Sequence, residues 1–152
     1  MSHVLALDEG TSSCRSMIIS DDVEIVAVEQ QEFEQIFPKP GWVEHNAQTI
    51  WQAQLDTARD ALKKAGLSGR DITCIGITNQ RETVVLWDRA TGDPIANAIV
   101  WQDRRTAKTI DQLKADGHEP MVQSKTGLVL DPYFSATKVK WLLDHVPGAQ
   151  DA

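Results

Sequence analysis

Val4-Leu-Ala-Leu-Asp-Glu-Gly-Thr-Ser-Ser-Cys-Arg-Ser-Met-Ile-Ile19 sets the architecture of this chain. Val4–Leu7 is an unbroken apolar run, the mark of a buried strand. A small polar turn follows, and Cys14–Ile19 reads as strand again. Ser20-Asp21-Asp22 is a second turn, and Glu24–Val28 a third β-rich run. Turns this short join antiparallel neighbours. Working outward, two prolines and a glycine keep Phe37–Trp42 out of any helix. Asn46 is a good cap for a helix whose apolar stripe is Trp51, Leu55, Ala58, Leu62 and Ala65, with Gly66 placed to end it. Ile72–Ile77, Thr83–Trp87 and Ala98–Trp101 read as further strands, with a turn at 91–94. Helices are expected over Arg104–Ala115, ending at Gly117, and over Ala136–Val146, with Ser135 as cap and Pro147-Gly148 as stop. Strands that pair locally, followed by a helical crossover to a parallel strand, predict an α/β fold: a mixed β-sheet with flanking helices.

The chain has 152 residues, one domain's worth, and 41% of them are hydrophobic, enough for a core. Its formal charge is 15 − 22 = −7, which disfavours nucleic acid as a partner. No apolar run approaches the ~20 residues of a membrane span, so no membrane association is expected. Two cysteines, Cys14 and Cys74, match no metal spacing and suggest reduced thiols in a cytoplasm.

Three segments carry chemistry. Asp8–Arg15 combines a glycine (Gly10), three hydroxyls (Thr11, Ser12, Ser13) and a cation (Arg15) in one turn, a composition suited to phosphate; Asp8, at a strand end, suits Mg²⁺. An ordinary hairpin turn has the same residue types. Thr78–Thr83 is a polar run too long for a simple turn; within it Arg81 donates hydrogen bonds and Glu82 accepts them, so together they can grip a polyol, or form a surface ion pair. Trp101, at the end of a strand, offers a pocket wall or a core residue. Arg104 and Arg105, opening a helix against its dipole, call for acidic partners. Tyr133 offers a hydroxyl beside an aromatic face.

Ala6–Ser13, Phe33–His45, Gly76–Thr83, Asn97–Thr106 and Ser124–Trp141 resemble the corresponding stretches of the FGGY carbohydrate kinase family, and within it the glycerol kinases. The resemblance implies a ribonuclease-H-like, actin-like ATPase fold and ATP-dependent phosphorylation of glycerol with Mg²⁺. It implies that Arg81, Glu82, Trp101 and Tyr133 contact glycerol. By the same carry-over Asp8 is the metal-associated aspartate, and the turn of Gly10, Thr11, Ser12, Ser13 and Arg15 holds phosphate. Glu9 stands where many members have glutamine. Members are much longer, so the resemblance places residues 1–152 in the amino-terminal part of the first kinase domain. The base aspartate and the second domain then lie beyond Ala152, and the isolated segment is expected to fold, to self-associate as a homo-oligomer and to be inactive. Competing readings are a kinase for another polyol or a pentose, a non-catalytic polyol-binding module, and a two-metal nuclease on the same fold.

Overall fold

The computed structural model describes residues 2–151. They form two compact units. The first contains residues 2–34 and Gln48–Gln80. Its sheet has the order β3-β2-β1-β5, built from β1 (His3–Glu9), β2 (Ser13–Ser20), β3 (Ile25–Glu32) and β5 (Ile72–Thr78). β1, β2 and β3 are antiparallel neighbours, and β5 joins β1 in parallel after the helical crossover. The expected mixed sheet is therefore present, with every strand slightly longer than its apolar run.

The crossover helix, α1 (Ala47–Ala65), starts one residue after Asn46. Gly66, at φ 69°, takes the left-handed turn that ends it, and the Leu67 N–H returns to the Leu62 carbonyl. The helix is rotated about one residue from the expected stripe. Its buried line is Ile50, Ala53, Gln54, Thr57 and Ala61, while Trp51 is 62% exposed. The reason is a buried polar seam that an apolar pattern cannot register. Gln54 Nε2 donates to Ser16 Oγ at 2.9 Å, and Ser16 Oγ lies 2.9 Å from Thr57 Oγ1. Around the seam pack Leu5, Ile18, Ala27 and Ala61, with Ala58, Leu62 and Ala65 partly buried against them. The two edge strands bare apolar side chains, Ile25 (61%) and Val26 (45%) on β3 and Ile75 (57%) and Ile77 (73%) on β5, and neither outer edge has a strand partner among the described residues.

The second unit contains Gln35–Ala47 and residues 81–151. A two-residue ladder joins β4 (Glu44–His45) to β6 (Ala98–Ile99). The strand expected at Thr83–Trp87 is reduced to isolated bridges, Val84 to Ile99 and Trp87 to Pro94. Pro94 has no N–H to donate, so the hairpin loses a rung where a strand would need one. The strand expected at Ala98–Trp101 ends at Ile99 because the chain turns, with the Asp103 N–H bonded to the Val100 carbonyl. α2 (Ala107–Ala115) begins three residues later than expected, because the Asp103 carboxylate takes the Arg105 N–H and holds that turn out of the helix.

α3 (Glu119–Thr126) was not expected from sequence; Pro120 in its first turn and Gly127 at φ 74° are its only strong signals. α4 (Ser135–His145) begins at Ser135 itself. Ser135 is not the cap, because its N–H and hydroxyl are both turned to Glu82. Leu142 of α4 packs with Val84 and Ile99, with Val139 and Val146 alongside, as their spacing predicts.

Candidate functional site

In the first unit, β1 delivers Asp8 and Glu9 to a tight turn from which β2 departs. The Gly10 N–H closes the turn onto the Ser13 carbonyl at 3.0 Å, so this donor is spent within the turn. A Cβ on Gly10 would stand 3.0 Å from that same carbonyl oxygen, which explains the glycine. Gln80, just beyond β5, donates from Nε2 to the Gly10 carbonyl at 2.9 Å, bracing the turn from the neighbouring strand. Its role was not legible from sequence. Gln30 donates to Ser13 Oγ at 3.2 Å and accepts from Arg15 Nε and Nη2 at 3.1 and 2.9 Å. Arg15 Nη1 lies 3.7 Å from Asp8 Oδ2.

Asp8 is thus a partly exposed carboxylate beside a cation. No group of three metal-ligating side chains occurs among the described residues. A single carboxylate still suits Mg²⁺ that arrives on phosphate, since that ion keeps several waters and takes one or two carboxylates. Burial pushes the Glu9 carboxyl above its ordinary range. Burial, then Glu9, then Asp8 push the Cys14 thiol up to about 11, and Cys14 Sγ points at the Ile50 carbonyl, so it is an inert packing residue.

The second unit brings Glu82, Trp101 and Tyr133 together from three separate segments. Glu82 has φ 66°, a left-handed backbone rare for a residue with a side chain. Its Oε2 accepts from the Ser135 N–H at 2.8 Å and from Ser135 Oγ at 2.6 Å. Lys138 Nζ donates to the Glu82 carbonyl at 2.8 Å and to the Tyr133 carbonyl at 2.5 Å. Burial lowers the Lys138 ammonium to about 8 against the pull of Glu82, Asp103 and Asp131.

The Trp101 and Tyr133 rings meet edge to face, with centroids 5.9 Å apart, and Phe134 stands edge-on to Tyr133 at 5.1 Å. The Trp101 N–H donates to Thr83 Oγ1 at 3.3 Å, tying the end of β6 to the residue after Glu82. Arg104 Nη1 bonds Asp131 Oδ1 at 3.1 Å, and the same oxygen takes the Tyr133 N–H at 2.8 Å. Arg81 is exposed, and the Glu82 carboxylate is bonded to Ser135, so the two residues do not form the simple ion pair weighed from sequence. An apolar cavity of about 470 Å³ between α2, α3 and α4 reaches Glu82 and Asp131 at its polar margin.

Arg105 finds the acidic partners that its position requires. It lies between two indoles, 3.9 Å over Trp42 and 4.6 Å over Trp141. Its Nε and Nη2 bond the Asp103 carboxylate at 3.0 and 2.9 Å, and Nη2 also bonds Glu44 Oε1 at 2.7 Å. This cluster holds the Phe37–Trp42 loop and the turn after Trp101 in one place.

Residues 3–152 match the family described as "FGGY family of carbohydrate kinases, N-terminal domain". The chain belongs to the FGGY carbohydrate kinases. Among curated relatives, this FGGY chain is 62% identical to a glycerol kinase of Bradyrhizobium sp. (strain ORS 278) over 151 residues, covering 99% of the chain. It is 62% identical to one from Herminiimonas arsenicoxydans over 148 residues, 97% of the chain. In both cases it spans 30% of the relative's length. Its fold matches the crystal structure of Plasmodium falciparum glycerol kinase with ADP at a TM-score of 0.91 and 35% identity, covering 99% of this chain and 30% of that one. A ligand-bound xylulose kinase from Lactobacillus acidophilus, at 20% identity, shares the fold with a TM-score of 0.88 over 99% of this chain and 30% of that one. The actin-like ATPase fold expected from the sequence is thus the fold of this FGGY chain.

The residues expected from the sequence to form the site divide between the two units. Asp8, Gly10, Thr11, Ser12, Ser13 and Arg15 belong to the first, and Arg81, Glu82, Trp101 and Tyr133 to the second. Sequence reading missed Ser135 and Lys138. The signal for Lys138 was its spacing: it stands four residues before Leu142, on the helix face that is buried.

Proposed function

We propose that this chain is the amino-terminal part of the first domain of a glycerol kinase, which transfers the terminal phosphoryl group of ATP to a glycerol hydroxyl. The 62% identity to proteins named glycerol kinase supports this reading. The structural observation that carries it is Glu82, whose left-handed backbone is fixed from α4 beside the Trp101–Tyr133 ring pair. Residues in such sparsely populated conformations cluster at ligand sites.

In this reading the Glu82 carboxylate accepts hydrogen bonds from glycerol hydroxyls, and the Arg81 guanidinium donates to their oxygens. Trp101 and Tyr133 cover the carbon skeleton and exclude water. The hydroxyls of Thr11, Ser12 and Ser13, with Arg15, donate to phosphate oxygens, and Asp8 is the carboxylate that would hold Mg²⁺. When bound there, Mg²⁺ would supply charge neutralisation to the transferring phosphoryl group. These residues position the reactants, which is the main demand of phosphoryl transfer. None of these residues is assigned the role of taking the hydroxyl proton, so the reading expects no glycerol phosphorylation by residues 1–152 alone.

The test is steady-state kinetics on the complete gene product, with glycerol and with xylulose as acceptors. Glycerol is the expected substrate. Arg81→Ala removes charge-assisted bonds of about 1.5–3 kcal/mol each, so kcat/KM for glycerol should fall roughly 10- to 100-fold. A preference for xylulose, or an unaltered kcat/KM in Arg81→Ala, refutes the assignment.

A further inference from the structure

Lys138 is fully buried, yet it lies on an amphipathic helix where an apolar side chain would pack among Val139 and Leu142 without any desolvation cost. Burying an ammonium is unfavourable unless it is paired and hydrogen-bonded. Its Nζ is spent entirely on one junction. It donates to the carbonyls of Glu82 and Tyr133, two residues that reach the site from distant parts of the sequence. It also stands 5.9 Å from the Tyr133 ring centroid, and the acidic groups acting on it are Glu82, Asp103 and Asp131.

Three residues earlier in the helix, Ser135 donates to the Glu82 carboxylate from both its N–H and its hydroxyl. The first turn of α4 therefore holds Glu82 at both ends: the main chain by Lys138 and the side chain by Ser135. A left-handed glutamate persists only where its surroundings hold it, and Lys138 bonds the carbonyl of that very residue. A methylene in place of Nζ fills space but supplies none of the donors that an ammonium gathers at a single point.

We propose that Lys138 is a positioning residue of the substrate site, fixing the Glu82 and Tyr133 main chains relative to one another so that carboxylate and ring meet the same polyol. The proposal rests on the assignment of Glu82 and Tyr133 as substrate contacts. Lys138 touches no substrate itself. It acts by keeping the carboxylate and the aromatic wall in register, so its loss falls on the acceptor and not on the nucleotide.

The experiment compares Lys138→Met and Lys138→Arg with wild type and Arg81→Ala, all in the complete gene product. KM for glycerol, KM for Mg-ATP, kcat and the melting temperature are measured for each. Loss of the charged donor in Lys138→Met should raise KM for glycerol roughly 10- to 100-fold while leaving KM for Mg-ATP unchanged. Lys138→Arg keeps the charge and at least one of the two bonds, and should show a smaller rise of the same kind. A folded Lys138→Met with an unchanged KM for glycerol overturns the proposal. So do equal losses for both substrates, or failure of both variants to fold, since Lys138 is then a fold residue. If Arg81→Ala raises KM for glycerol and Lys138→Met does not, only the positioning role falls. If Arg81→Ala is silent, or the wild type does not phosphorylate glycerol, the site assignment falls and the proposal with it.

Discussion

Arg105→Ala is the perturbation whose size the structure fixes best. The guanidinium makes three bonds of 2.7 to 3.0 Å to two carboxylates and is stacked between Trp42 and Trp141. Side-chain exposure is 2% for Arg105 and 1% for Asp103, so solvent screens the pair very little. Removing one partner of a buried pair costs about 3–5 kcal/mol, because the other charge is left uncompensated. Asp103 retains two main-chain donors, the N–H of Val43 at 2.7 Å and that of Arg105 at 2.8 Å, which moves the cost to the lower end, about 3 kcal/mol. At 4–8 °C per kcal/mol for a unit of this size, the melting temperature of the second unit should fall by about 12–24 °C. Thermal unfolding followed by circular dichroism and tryptophan fluorescence measures it directly, since two of the indoles flank the lost group. Arg105→Lys keeps the charge but not the planar fork, and should recover less than half of the loss. Asp103→Asn with Arg105→Ala should lose less than the sum of the single variants, with a coupling of about 1–3 kcal/mol. A fall of less than about 4 °C in Arg105→Ala would refute the reasoning. It would mean that the desolvation of the pair already cancels its attraction.

Two other predictions concern the turn between β1 and β2. Burial raises the Glu9 pKa above its ordinary 4.5, so the native state holds a proton that the unfolded chain releases just above that pH. Wild type therefore loses stability as pH rises through that window. Glu9→Gln should melt higher than wild type at pH 7 and converge with it below pH 4; a lower melting temperature at pH 7 would show that burial does not govern this carboxyl. Gly10→Ala drives a methyl to 3.0 Å from the Ser13 carbonyl and should cost about 1 kcal/mol in urea unfolding while raising KM for Mg-ATP; an unchanged midpoint would show that the turn absorbs the methyl.

The strand meander and the crossover were legible because each rests on a local pattern: apolar runs bounded by turns, and a capped amphipathic helix. The rotation of α1 was not, because Gln54 and Thr57 are buried by bonding one another and Ser16, and a polar residue counts as solvent-facing in any periodicity. α3 escaped for the opposite reason, having almost no apolar side to detect. At the candidate site, Arg81, Glu82, Trp101 and Tyr133 were visible as polar or aromatic residues near element ends, but a surface ion pair or a core residue explained them as well, and only the family resemblance assigned them to a ligand. What fixes Glu82 was not visible, since a positive φ leaves no trace in the identity of a glutamate and Lys138 reads as one more charge on a helix.

The two margins of the first unit's sheet are chemically unequal. Both bare apolar side chains, Ile25 and Val26 on β3 and Ile75 and Ile77 on β5, but β3 also ends in Glu29-Gln-Gln-Glu32, whereas β5, Ile72-Thr-Cys-Ile-Gly-Ile-Thr78, has no charged residue. An uncharged margin with open backbone donors and acceptors recruits any strand that meets it. An edge of that kind is a template for a further strand, from the same protein or from another chain, and a charge placed on it, as in Ile77→Lys, would blunt that recruitment.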